Sequence, residues 1–142
     1  MILLDTSGLL AALDAAQRVH AAAAQALQAT RPPRLLSPFV LAELDYLLAT
    51  RVGSGAQFAL LDEVARGTYR LEPFDGDDVG RAHVIIDRYA DLELGLADAS
   101  VVVLAERHDV RDVLTLDERH FRAVRASKGR RFRVLPADAE QP

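Results

Sequence analysis

Apolar residues follow two rhythms along this chain. Short continuous runs such as Ile2-Leu3-Leu4, Leu35-Leu36 and Val113-Leu114-Thr115-Leu116 alternate with longer stretches in which apolar positions recur every three or four residues. The first rhythm predicts short strands buried on both faces, the second predicts helices. Ile2–Leu4 reads as a strand and runs into Asp5-Thr6-Ser7-Gly8, residues that cap helices and form turns. Ala11–Ala29 is alanine-rich and helix-favouring, with Asp14 a candidate break, and Pro32-Pro33 ends it. Leu35-Leu36 is a second strand. Ser37-Pro38 then opens a helix in the order N-cap, first helical residue, and Val40, Leu41, Leu44, Leu47 and Leu48 keep helical spacing until Gly53. Ser54 is the expected cap of another helix, running through Val64 and closed by Gly67.

Tyr69–Phe74 predicts a strand, and residues 77–89 a helix. After Gly95, Ala97–His108 is helical; Val113–Leu116 is a strand ending at Asp117; a short helix carries Phe121 and Val124; Lys128-Gly129 turns; Phe132–Leu135 is a last strand. Short strands separated by helices place the chain in the α/β class, with a parallel sheet covered on both faces. No internal repeat or linker interrupts it, so residues 1–136 are expected to form one domain, with 137–142 a frayed tail.

Composition narrows the chemistry. At 142 residues and 50% hydrophobic, the chain can bury roughly 70% of its unfolded surface without help from a metal or disulfide. The absence of cysteine excludes a disulfide framework, a thiolate zinc site and a cysteine nucleophile. Met1-Ile2-Leu3-Leu4-Asp5 lacks the pattern of an export signal, and no apolar run approaches the roughly 18 residues of a membrane span. A cytoplasmic protein without membrane contact is the expectation.

Net charge is −4, which by itself argues against a nucleic-acid binder. Its distribution is more informative. Arg119, Arg122, Arg125, Lys128, Arg130, Arg131 and Arg133 form a strip of seven basic residues without an acid between them. The remaining ten Lys and Arg face all 21 acids, leaving the rest of the chain at −11. The strip reads either as solvated surface or as a phosphate-contacting face beside an anionic site.

Four acids stand apart from ordinary helix faces. Asp5 ends the first strand, Glu43 sits among Leu41, Ala42 and Leu44, Asp98 lies in the first turn of a helix, and Asp117 follows an apolar strand. Taken singly, each has a plain explanation: Asp5 and Asp117 as N-caps, Asp98 as a partner of the helix dipole, Glu43 as a solvated helix residue. Taken together, they mark the carboxyl edge of a parallel sheet, where sites form in open α/β folds. Carboxylates brought that close need a counter-charge, and a hard divalent cation with oxygen ligands, Mg²⁺ or Mn²⁺, supplies it.

The segments Leu4-Asp5-Thr6-Ser7, Ser37–Leu44, Leu96-Ala97-Asp98-Ala99 and Leu114–Phe121 resemble, in order, the signatures of PIN-domain ribonucleases, in particular VapC-type toxins of bacterial toxin–antitoxin pairs. The resemblance spans nearly the whole chain. It implies a three-layer α/β/α sandwich around a parallel sheet of about five short strands. It further implies Asp5 and Asp98 as the principal magnesium ligands (manganese substituting), and Glu43 and Asp117 completing the acidic pocket. Thr6 or Ser7, and Thr115, match hydroxyl positions that support the carboxylates. Arg119, Arg122, Arg125, Lys128, Arg130 and Arg131 are the candidate RNA contacts.

The implied activity is Mg²⁺-dependent endoribonuclease cleavage of a structured tRNA or rRNA loop, leaving 5′-phosphate and 3′-hydroxyl ends. The implied partners are a VapB-type antitoxin and a second copy of the chain, with contacts in the Leu44–Leu61 region that holds Tyr46 and Phe58. An idle PIN-like module that binds RNA or protein is the alternative. A phosphoacceptor domain fits poorly, since the only lysine, Lys128, lies in a turn and Asp5 is not followed by Asp-x-Asp spacing. The four histidines lack the paired spacing of a zinc helix and read as surface or helix-end residues; His120 lies between Asp117 and the basic strip. Asp91 reads as a solvated helix end.

Overall fold

In the computed structural model, which describes residues 1–140, the apolar runs become the strands β1 (Ile2–Leu4), β2 (Arg34–Leu36), β3 (Arg70–Leu71), β4 (Asp112–Leu114) and β5 (Arg133–Leu135). All pair in parallel, in the order β3-β2-β1-β4-β5. Every residue of β1 is buried, so both faces of the sheet are covered and the architecture is the expected three-layer sandwich. Around the sheet lie α1 (Thr6–Leu13), α2 (His20–Ala29), α3 (Pro38–Arg51), α4 (Ser54–Ala65), α5 (Gly76–Arg88), α6 (Leu96–His108) and α7 (Glu118–Ala123).

Strand order reverses beside β1. The chain moves outward through β2 and β3, then returns to place β4 on the other side of β1. The crevice outside the carboxyl ends of β1 and β4 is therefore the topological switch point, the preferred ligand position in open α/β sheets. Asp5 and Asp117 flank it.

Several elements differ from expectation for local reasons. The alanine-rich segment does break at Asp14 as expected, where Asp14 accepts from Ala16 N at 3.0 Å and from Gln17 Nε2 at 3.1 Å and so closes a turn, though α1 starts earlier, at Thr6, and α2 only at His20. Gly53, at a φ of 141° that only glycine adopts easily, is the N-cap of α4, and Ser54 is its first residue. The predicted strand 69–74 pairs only over Arg70–Leu71; Tyr69 packs into the core beside the strand without extending the ladder. β4 ends at Leu114; Thr115 N still donates to the Leu135 carbonyl at 2.9 Å while its hydroxyl serves the neighbouring carboxylate. Of the expected tail, Asp138 is tied back to Val134 N at 2.8 Å and to Arg122; 141–142 lie outside the described residues.

Gly8 is not a turn residue. It lies inside α1, where a Cβ would stand 2.2 Å from the Leu114 carbonyl oxygen and 2.6 Å from Thr115 N. Glycine in a helix interior costs about 1 kcal/mol against alanine. Here it permits backbone-to-backbone contact between α1 and the end of β4. That contact sets the spacing between the two junctions carrying Asp5 and Asp117.

Candidate active site

Asp5 occupies the N-cap of α1, and its carbonyl accepts the first helical bond from Leu9 N at 3.0 Å, yet its side chain caps nothing. The carboxylate instead turns into the switch-point crevice, where Thr115 Oγ1 donates to Oδ2 at 2.6 Å. Asp5 is only 4% exposed. Burial pushes its carboxyl from an ordinary 3.8 up to about 6; the Thr115 bond opposes this, and the charges of Asp98 and Asp117 add to it.

Two hydroxyls join the junctions. Thr115 Oγ1 also accepts from Asp117 N at 2.9 Å, and Ser7 Oγ accepts from Leu116 N at 2.9 Å while lying 3.3 Å from Asp5 Oδ2 and 3.2 Å from Thr115 Oγ1. Of the two hydroxyl candidates after Asp5, Ser7 is the one in the carboxylate network. Thr6 Oγ1 is buried without a hydrogen-bond partner.

Asp117 combines its plain and functional readings. As N-cap of α7, its Oδ1 accepts from His120 N at 3.1 Å; its Oδ2 accepts from His120 Nδ1 at 2.7 Å. Asp98 is in the first turn of α6, where its Oδ2 accepts from Gly95 N at 3.2 Å. Burial raises its carboxyl, Gly95 N–H and His120 lower it, and Asp117 raises it further. One ligand atom each from Asp98, Asp117 and His120 fall within 4.8 Å of one another.

The start of α6 is held by a buried hydroxyl chain that sequence reading missed. Ser100 Oγ donates to the Ala97 carbonyl at 2.6 Å, so the 2.6 Å contact with Ser37 uses the Ser37 proton. Ser37 in turn caps α3 by accepting from Phe39 N at 3.1 Å. Two serines 63 positions apart thus lock the N-termini of α3 and α6 together; only the Ser-Pro cap was visible beforehand.

Not every candidate joins the cluster. Glu43 projects from the second turn of α3 into solvent, and neither Asp5 nor Asp98 owes its shift to it. Asp91 is exposed, as expected. The basic strip is largely paired with acids drawn from outside it: Arg122 with Glu118 at 2.8 Å and Asp138 at 2.9 Å, Arg130 and Lys128 with Asp109 at 2.6 and 3.6 Å, and Arg133 with Asp112 at 3.1 Å. Arg125 reaches the Arg122 carbonyl at 3.4 Å. Arg119 and Arg131 are exposed and have no acidic partner among the described residues.

Residues 2–127 match the family model described as the PIN domain. The chain is 45% identical over 135 residues to Ribonuclease VapC26 of Mycobacterium tuberculosis, covering 95% of this chain and all of that one. Among solved structures, the sarcin–ricin-loop-cleaving toxin VapC20 of Mycobacterium tuberculosis superposes with a TM-score of 0.77 at 24% identity, covering 82% of this chain and 90% of its own. FitAcB from Neisseria gonorrhoeae superposes with a TM-score of 0.61 at 24% identity, over 83% of this chain and 88% of its own. These two likenesses concern the fold.

Proposed function

The chain belongs to the PIN-domain family, and on that premise we propose that it is a divalent-metal-dependent endoribonuclease, the toxin of a toxin–antitoxin pair. One observation carries the reading. A buried Asp5 carboxyl, pushed up to about 6, shares its crevice with Asp98 and Asp117, and no Lys or Arg contributes to its environment. Three acids with no Lys or Arg among them, and a single imidazole, His120, at their edge, suit a mobile counter-ion with hard oxygen preference, which fits Mg²⁺ or Mn²⁺.

Asp5 and Asp98 would hold the ion with Asp117 beside them; Glu43, which projects into solvent, is given no part in holding it. The bound cation supplies Lewis acidity toward the phosphodiester and lowers the pKa of water near it. The protein's own part is orientation. Thr115 and Ser7 fix the Asp5 carboxylate, the Gly95 N–H fixes Asp98, and the His120 N–H fixes Asp117, so little reorganisation is needed at reaction. No side chain acts as nucleophile. Arg119, exposed and two residues after Asp117, is proposed to meet a backbone phosphate.

The substrate proposed is a structured loop of tRNA or rRNA, in which unstacked bases leave the scissile backbone accessible. The α3–α4 surface exposes Tyr46 (67%) and Phe58 (64%) with Val52 and Leu61, more apolar side chain than a free monomer needs there. It is proposed to take the antitoxin and a second copy of the chain. No helix among the described residues is long and apolar enough to cross a membrane, and action on cytoplasmic RNA is proposed.

Purified Asp5→Ala and Asp98→Ala proteins, tested on total RNA with added Mg²⁺, are expected to keep the wild-type circular dichroism spectrum and lose cleavage by at least a hundredfold. Undiminished cleavage by either variant overturns the assignment.

A further inference from the structure

His120 makes more contacts with the acidic site than a helix-end histidine requires. It sits in the first turn of α7, and both ring nitrogens are engaged. Nε2 donates to the Leu92 carbonyl at 2.8 Å, on the segment that leads into α6. Nδ1 lies 2.7 Å from Asp117 Oδ2 and 3.9 Å from Asp98 Oδ2. The ring is 17% exposed and fixed from two sides.

Metal-bound histidines typically donate their remaining ring N–H to a carbonyl or carboxylate, which sets the tautomer and aims the other nitrogen. The Leu92 contact does this from outside the acidic cluster. Around a six-coordinate cation with bonds of about 2.1 Å, ligand atoms stand about 3 Å apart when adjacent and about 4 Å when opposite. The 2.7 and 3.9 Å separations match that spread, and all three donor atoms fall within 4.8 Å.

We propose that His120 Nδ1 is a further ligand of the cation that Asp5, Asp98 and Asp117 surround, which makes the centre a mixed oxygen–nitrogen site favouring Mn²⁺ over Mg²⁺. An imidazole nitrogen gains little from Mg²⁺, which prefers oxygen, and more from the transition ion. On binding, the ion takes the place of the proton that Nδ1 shares with Asp117, and that proton leaves to solvent. The inference rests on the metal-nuclease reading and adds to it a ligand and a preference of ion.

The test is spectroscopic and independent of turnover. Full-length protein is loaded with one equivalent of Mn²⁺ and examined by electron spin-echo envelope modulation, which detects a directly coordinated ¹⁴N. Wild type is expected to show histidine nitrogen coupling, and His120→Gln, folded by circular dichroism, to lose it. Calorimetry should show the variant binding Mn²⁺ at least roughly tenfold more weakly, the lower end of what disturbing a ligating histidine's surroundings costs. Mg²⁺ affinity should change less. Mn²⁺ bound to wild type without nitrogen coupling overturns the inference and leaves the nuclease reading standing, as does a variant that binds Mn²⁺ equally well or better. Failure of wild type to bind either ion overturns both. The wild-type spectrum decides the matter even if the variant does not fold.

Discussion

Thr115 and Asp5, 110 positions apart, are joined by a 2.6 Å hydrogen bond that crosses from the end of β4 to the end of β1. The same hydroxyl accepts from Asp117 N, so one threonine orients two of the acids. Thr115→Val keeps the shape, removes the donor that lowers the Asp5 pKa, and strands the Asp117 N–H. The expected outcome is a loss of about 1–3 kcal/mol in denaturant-monitored stability and weaker Mn²⁺ binding by calorimetry. Unchanged values in both would show that the bond positions nothing.

Asp5→Asn should trade function for stability. Below pH 3.8 the carboxyl is protonated in both states; between 3.8 and about 6 the folded protein keeps a proton that the unfolded chain has lost. The cost of ionising it therefore grows as pH rises through that window and is complete above it. Asparagine removes the cost, so the variant is expected to be more stable than wild type at pH 7.5 by about 1–3 kcal/mol, with no difference near pH 3, and to be inactive. Thermal melts across pH check the sign; a variant less stable at pH 7.5 would contradict the assigned burial penalty.

Saturating Mn²⁺ should offset the same cost in wild type. At a hundred times the dissociation constant, ligand linkage raises stability by about 2.7 kcal/mol. The shift in melting temperature is expected in wild type and not in Asp5→Asn, a comparison that scanning calorimetry can make directly.

Gly8→Ala is expected to be among the most damaging single-methyl changes in the chain. The added carbon would overlap the Leu114 carbonyl, which is backbone and cannot rotate away. A loss of about 3 kcal/mol is expected, at the upper end for overpacking, together with loss of cleavage as the two junctions separate. Alanine at Gly55, inside α4 where a Cβ meets nothing within 4 Å, is the control and should stabilise by up to about 1 kcal/mol.

The basic strip divides into two groups. Arg119→Ala and Arg131→Ala should each weaken RNA binding and reduce the slope of log affinity against log salt by about 1. Arg122→Ala and Arg130→Ala, whose guanidinium groups already pair with Glu118, Asp138 and Asp109, should change the slope less. Equal slopes across all four variants would return the strip to ordinary surface.

Local pattern was enough to read most of the elements. The apolar triplets, the Ser37-Pro38 cap and the Gly95 break all carry their meaning within a few residues, because strand burial and helix capping are short-range effects. Candidate acids could be named for the same reason, since each stands at an element junction. The role of Gly8 and the Ser37–Ser100 contact could not be read so, because the groups they meet are 106 and 63 positions away. A glycine inside a helix-favouring stretch was the only local signal, and it looked like a turn.

Charge shows the same division most plainly. Sequence alone determined an acidic chain with a basic strip, and a set of carboxylates in family order. Folding decided which charges meet: Asp109, Asp112 and Asp138, none of them within the strip, neutralise much of it, while Asp5, Asp98 and Asp117 are drawn together with only the His120 imidazole, and no Lys or Arg, set against them among the described residues. Coulomb energy and desolvation depend on distance and burial in three dimensions, and those follow from strand order at the switch point, not from separation along the chain.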